Sequence, residues 1–83
     1  MTTLLCSSKT NPKALAKKVE KYVDEETVKI EVVGAGAVNQ AIKSVCYVNE
    51  NRRNKDKVTI LPKFEELTTK DGKEQIAVIL EVF

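Results

Sequence analysis

The sequence predicts an α+β two-layer sandwich with element order β-α-β-α-β-β, in which two helices cover one face of a four-stranded mixed sheet of strand order 1-2-4-3. Three observations carry this. Two segments with apolar residues at helical spacing each follow a short β-type segment. An Asp71-Gly72 turn joins two further strands. Pro62 interrupts the third strand, whereas the fourth contains the unbroken run Ile76-Ala77-Val78-Ile79-Leu80. A proline cannot donate to a ladder and belongs at a sheet edge. A continuously apolar strand belongs in the middle.

Taken in order, Thr2–Ser7 reads as a short strand around Leu4-Leu5-Cys6. Asn11-Pro12 then signals a helix start, since Asn caps well and Pro suits the first helical position. Leu15, Val19, Tyr22 and Val23 form one apolar face, and Lys13, Lys17, Lys18 and Lys21 point elsewhere. Asp24-Glu25-Glu26 ends this helix. Thr27–Val33 alternates as a strand with Val28, Ile30 and Val32 on one face. Because a helix separates the first two strands, they are expected to run parallel through a right-handed crossover. Gly34-Ala35-Gly36 turns the chain into a second helix, from about Ala37 to Asn51, with Val38, Ala41, Ile42, Val45 and Cys46 as its main stripe. Ala37, Ser44 and Val48 widen that stripe, so the helix should meet two neighbours: its own sheet and, in so short a chain, a second copy of the protein. Arg52–Lys57 is a polar connector of exposed charge, Lys57–Thr68 the third strand and Glu74–Phe83 the last.

Eighty-three residues make one domain, 1–83, with a single modest core. Fourteen basic residues against 12 acidic give a net charge of +2, so any nucleic-acid partner must be argued from charge distribution rather than total. No histidine occurs. That excludes a histidine general base, and with only Cys6 and Cys46 as soft ligands it argues against zinc. No cofactor, no metal and no catalytic residue is expected, and the two cysteines read as reduced core thiols without a disulfide. Met1-Thr2-Thr3-Leu4-Leu5-Cys6 lacks the basic and long apolar regions of a signal peptide, and no apolar run approaches a membrane span. The expectation is a cytoplasmic protein with no membrane partner.

Three segments are candidates for function. In Ser7-Ser8-Lys9-Thr10-Asn11-Pro12-Lys13 a polar loop enters a helix, and no acid occurs between Ser7 and Val19. Free amides at a helix start favour an anion, with Lys9 and Lys13 reinforcing it; the alternative is an ordinary capped helix start. In Gly34-Ala35-Gly36-Ala37-Val38-Asn39-Gln40-Ala41 no Gly-Lys-Ser/Thr follows, and the third glycine of a dinucleotide fingerprint is missing. Asn39 and Gln40 suit phosphate, sugar or base edges; the alternative is a tight turn of small residues packing helix on sheet. The hairpin tip carries Lys70 and Lys73, as a basic arm or as a solvated turn.

Cys6-Ser7-Ser8-Lys9-Thr10-Asn11-Pro12, the run Val33–Val45 and Pro62-Lys63-Phe64 together resemble the stage V sporulation protein S family. That family shows a Ser-x-Lys-x-x-Pro lead-in, a Gly-Ala-Gly-Ala-Leu/Val-Asn-Gln-Ala-Ile/Val-Lys core and a Pro-x-Phe in the third strand. The resemblance covers essentially the whole chain. It implies an Alba-like fold, similar also to the C-terminal domain of bacterial translation initiation factor three, and a sporulation or developmental regulator that binds nucleic acid. Lys9, Gly34–Gly36, Asn39, Gln40 and Lys43 match the motif positions. Arg52 and Arg53 do not, and Asn49–Asn54 departs from the family's more apolar, glycine-containing segment. The expected partner is DNA or RNA, bound weakly and with tolerance of sequence by a homodimer or dimer-based oligomer. The expected contacts are Lys9, Lys13, Gly34, Gly36, Asn39, Gln40, Lys43, Lys70 and Lys73. The competing expectations are a small phosphate-metabolite binder and a protein-interaction adaptor.

Overall fold

The computed structural model describes residues 1–83. Six elements follow in the expected order: β1 (Thr2–Cys6), α1 (Pro12–Tyr22), β2 (Val28–Val32), α2 (Ala35–Glu50), β3 (Ile60–Thr68) and β4 (Glu74–Val82). The sheet order is β1-β2-β4-β3. β1 and β2 are parallel, from Thr2 opposite Val28 to Cys6 opposite Val32. β4 is antiparallel to β2 over Val78–Val82 and to β3 along its whole length. Pro62 therefore lies on the edge strand β3, where its missing N–H costs no ladder bond.

One face of the sheet supplies Cys6, Val28, Ile30, Val32, Leu80 and Val82, and both helices pack there. α1 contributes Leu15, Ala16 and Val19, and Val23 caps the layer. Tyr22, expected on this face, is only half-buried. α2 contributes Ala37, Ala41, Ser44, Val45 and Val48. The expected stripe on α2 is thus rotated. The small residues form the buried seam, while Ile42 and Cys46 are exposed. The reason is steric: the small side chains at Ala37, Ala41 and Ser44 let α2 lie close to its neighbours, and bulkier Ile42 falls outside the seam. Ser44 is fully buried and its hydroxyl donates to the Ala41 carbonyl at 2.6 Å, so its polarity is satisfied within the helix. Cys46 is consequently not the core thiol expected; Cys6 is, and burial pushes its thiol pKa up.

The apolar run of β4 is buried only in part. Ile79, Leu80 and Val82 are buried, but Ile76 is 72 % exposed, because β4 has parted from β2 by Val78. Ile79 faces away from the helices, opposite Glu31 and Lys63 in register. The ion pairs Lys29–Glu65 and Lys63–Glu81 flank it on that open face. The stretch Glu74–Ala77 with Glu65–Thr68 is a two-stranded arm. It extends about 13 Å past the end of β2 before its turn, at the usual strand rise.

The expected connector charge is not all on the surface. Arg52 is 5 % exposed, not a surface charge. Its guanidinium donates to both carboxylate oxygens of Glu20, at 3.2 and 2.9 Å, to Asp24 at 2.9 Å and to the Asp56 carbonyl at 3.2 Å. It ties the end of α1 to the segment after α2. Burial opposes the Arg52 charge, but the bonds to Asp24 and Glu20 outweigh it and hold its pKa above the ordinary value. No helix is long and apolar enough to cross a membrane.

Candidate nucleic-acid interface

β1 and β2 are parallel, so both helices begin at the same end of the sheet, and so does the arm, since β4 leaves β2 opposite Val32. Sequence neighbours of Cys6, Val32 and Val78 are thereby brought to one end of the molecule. The loop before α1 rests directly on the first turn of α2. The Cys6 thiol donates to the Ala37 carbonyl at 3.3 Å, and the Gln40 side-chain amide donates to the Thr10 carbonyl at 3.0 Å. A Cβ on Gly36 would stand 2.8 Å from the Cβ of Ser8, closer than side chains approach one another. Gly36 is thus required for loop contact. Gly34 is required for its backbone, φ 88° and ψ 164°, a region open essentially to glycine alone.

The backbone donors differ between the two helix starts. At α1 the Asn11 side chain accepts from the amides of Lys13 (2.9 Å) and Ala14 (3.2 Å), and Pro12 has no N–H to offer. In the preceding loop the Ser7 amide donates to the Thr10 hydroxyl and the Lys9 amide to the Ser7 hydroxyl. This start is a closed cap, and the expected free amides there are absent. At α2, Gly34 supplies no side-chain cap. The first amides with a backbone acceptor are those of Ala37 and Val38, both on the Gly34 carbonyl, so Ala35 and Gly36 present unpaired N–H groups. No acidic residue occupies the first turn of either helix.

The remaining expected residues fall as follows. Lys9, Lys13, Asn39 and Lys43 are exposed at or near this end. Gln40 is half-buried and spends its amide on Thr10, which makes it a positioning group rather than a free donor. Lys70 and Lys73 sit exposed at the arm's turn, where the Thr69 hydroxyl bonds Asp71 and holds that carboxyl below its ordinary pKa. The arm places these two lysines beyond the loops rather than among them.

Charge segregates along the helix layer. Within Cys6–Val19 and Val32–Asn49 there is no Asp or Glu, while Lys9, Lys13, Lys17, Lys18 and Lys43 all lie there. The helix-layer acids, Glu20, Asp24, Glu25, Glu26 and Glu50, gather at the opposite end. There Glu20 and Asp24 are engaged by Arg52, Asp24 also by Lys55 at 3.1 Å, and Glu26 by the Thr2 hydroxyl and the N-terminal amine. None of the lysines at the basic end pairs with a carboxylate. Lys17 and Lys18 extend the acid-free stretch beyond the expected contacts, and the Arg52 clamp was not among the expected features. The available signal was Glu20 in the last turn of α1 with Asp24 just past its end, two acids close enough to share one cation.

The sequence model of stage V sporulation protein S (SpoVS) matches residues 2–83. No curated protein matches the chain.

Proposed function

The chain belongs to the stage V sporulation protein S family, and from that membership together with its charge layout we propose that it is a regulatory protein that binds nucleic acid through the end of the helix layer where both helices begin. The observation that carries the reading is the segregation of charge. A net charge of +2 is small, yet one end of the helix layer holds unpaired lysines and no acid. Phosphate contacts supply most sequence-independent affinity, and they require this kind of local excess rather than a basic whole.

In this reading Lys9, Lys13 and Lys43 contact phosphates, and the unpaired amides of Ala35 and Gly36 add an uncapped helix start. Asn39, exposed on the first turn of α2, makes neutral hydrogen bonds to phosphate, sugar or base edge. Gly34, Gly36 and Gln40 shape the loops. Lys70 and Lys73 ride on the projecting arm and reach phosphates farther along the lattice of the same ligand.

The working unit proposed is a dimer. Phe64 (81 % exposed) and Ile76 (72 %) lie on the helix side of the arm, and Ile42 is exposed on α2. An arm of two strands has little stability alone. A second copy would cover these side chains and double the basic surface. Titration of labelled duplex DNA, RNA and a nucleotide panel at two salt concentrations tests the reading. Salt-sensitive binding of a polymer is expected. Tight binding of a nucleotide with no polymer binding would replace the reading with a metabolite site.

A further inference from the structure

A groove of about 620 Å³ runs between α1 and α2 on the outer side of the helix layer, away from the sheet. One wall is a ridge of Lys13, Lys17 and Lys21 on α1, and the other carries Tyr47 of α2. The lysines recur every four residues, so they stand in line along about 12 Å of helix. None of them pairs with a carboxylate. Of the two acids that line the groove, Glu20 is already neutralised by Arg52, which leaves Glu50 at the far end. Tyr47 is half-buried, with the Lys13 ammonium 5.5 Å from its ring centre.

From this arrangement we infer that the α1–α2 groove is a track for single-stranded nucleic acid, with phosphates along the lysine ridge and an unstacked base on the ring of Tyr47. The inference rests on the nucleic-acid reading above and narrows it to a substrate class. Cations on one wall and a flat aromatic ring on the other match the two sides of a single strand, its backbone and its bases. A duplex cannot use the ring, because its base faces are stacked on one another. An acidic peptide would satisfy the lysines and leave the ring without a partner. Lys13 now covers Tyr47, but a lysine–aromatic contact at an exposed site is weaker than base stacking on an aromatic side chain. A base can therefore displace the ammonium, which is then free to turn to a phosphate. The ridge begins at Lys13, beside the proposed loop patch, so one strand can run from the patch into the groove.

The chain has two tyrosines and no tryptophan, so in a Tyr22→Phe protein the intrinsic fluorescence reports Tyr47 alone. Oligouridylate and oligothymidylate should quench it on binding, whereas poly-glutamate should not. In parallel, anisotropy of labelled single strands and labelled duplex is measured for Tyr47→Leu, Tyr47→Phe, Lys17→Glu with Lys21→Glu, and Lys9→Glu with Lys43→Glu. Lys17 and Lys21 are exposed, so their variant retains a readout even if Tyr47→Leu unfolds. The expected result is single-strand affinity weakened about tenfold or more by Tyr47→Leu and kept by Tyr47→Phe, with duplex affinity little changed by either; the Lys17/Lys21 pair should weaken single-strand binding more than it weakens duplex binding. Single-strand binding lost only in the Lys9/Lys43 variant, or quenching by poly-glutamate as strong as by oligouridylate, overturns the groove and leaves the loop patch standing. Binding of neither polymer by wild type overturns both.

Discussion

Replacing Gly36 by Ala should destabilise the protein through one identifiable contact, and a second substitution should remove the damage. The new Cβ would stand 2.8 Å from the Cβ of Ser8 and 3.5 Å from its Cα. Alanine gains up to about 1 kcal/mol over glycine inside a helix, and less at Gly36, the second residue of α2. Overpacking of this kind costs about 1–3 kcal/mol, so the overlap wins and a net loss of roughly 1–2 kcal/mol is expected. Ser8→Gly deletes the offending atom and leaves only the 3.5 Å contact, which is ordinary. The double variant should recover most of the loss, giving a coupling energy of about 1–2 kcal/mol. Gly34→Ala is the control. Nothing lies within 4 Å of its new Cβ, but its φ of 88° is strained for any residue with a side chain. It should cost about 1–3 kcal/mol whatever stands at position 8. Urea unfolding followed at 222 nm, at one fixed protein concentration, measures all four terms. A Gly36→Ala protein as stable as wild type would mean that the loop leaves room for a Cβ at position 36. A Ser8→Gly change that adds its own cost without relieving the overlap would mean that the loop is not seated on α2 as described.

Arg52→Ala should lower stability by about 2–3 kcal/mol, less than a fully buried pair would lose because Glu20 and Asp24 stay half in water; thermal unfolding checks this. The pH response follows in sign. Hydrogen bonds from Arg52 and then Lys55 hold the Asp24 pKa below its ordinary value, and the Thr2 hydroxyl does the same for Glu26. Their contribution is present above the ordinary carboxylate range and is lost as pH falls through the lowered values, so unfolding scans below about pH 4 should show a decline that is shallower in Arg52→Ala. A thiol reagent should modify exposed Cys46 quickly and buried Cys6 only on unfolding, which mass spectrometry reads as one adduct under native conditions. Wild type should scatter light as the proposed dimer, and Phe64→Ser with Ile76→Ser should leave the circular dichroism intact and give the mass of the monomer. An unchanged mass would place the interface elsewhere.

The order of elements and strands was legible because it rests on short-range signals. Asn11-Pro12 starts α1, Asp71-Gly72 closes the hairpin, and Pro62 must sit on an edge. Burial was less legible, because it depends on where neighbouring elements stop. Ile76 belongs to an apolar run yet lies in solvent, since β2 is too short to accompany it. Ile42 and Cys46 have the period of a buried stripe, but the helix buries the adjoining face of Ala37, Ala41, Ser44, Val45 and Val48 instead. Arg52 looked like connector charge because its partners are 32 and 28 positions away. For the candidate site, the topology places Lys9 beside α2 as expected from two parallel strands. The distinction between a closed cap at α1 and open amides at α2 turns on individual hydrogen bonds, which the pattern of residues does not specify.

The central claim, that the acid-free end of the helix layer holds phosphates, is tested most directly by the salt dependence of binding. The affinity of wild type and of Lys9→Glu with Lys43→Glu for labelled duplex DNA and RNA is measured across a range of salt, with folding and mass of both proteins verified. Wild type should lose affinity steeply as salt rises. The variant should bind all sequences more weakly, with a log–log slope smaller by about two units, one for each phosphate contact removed. An unchanged slope and affinity in the variant, or no binding by wild type at low salt, would contradict the account.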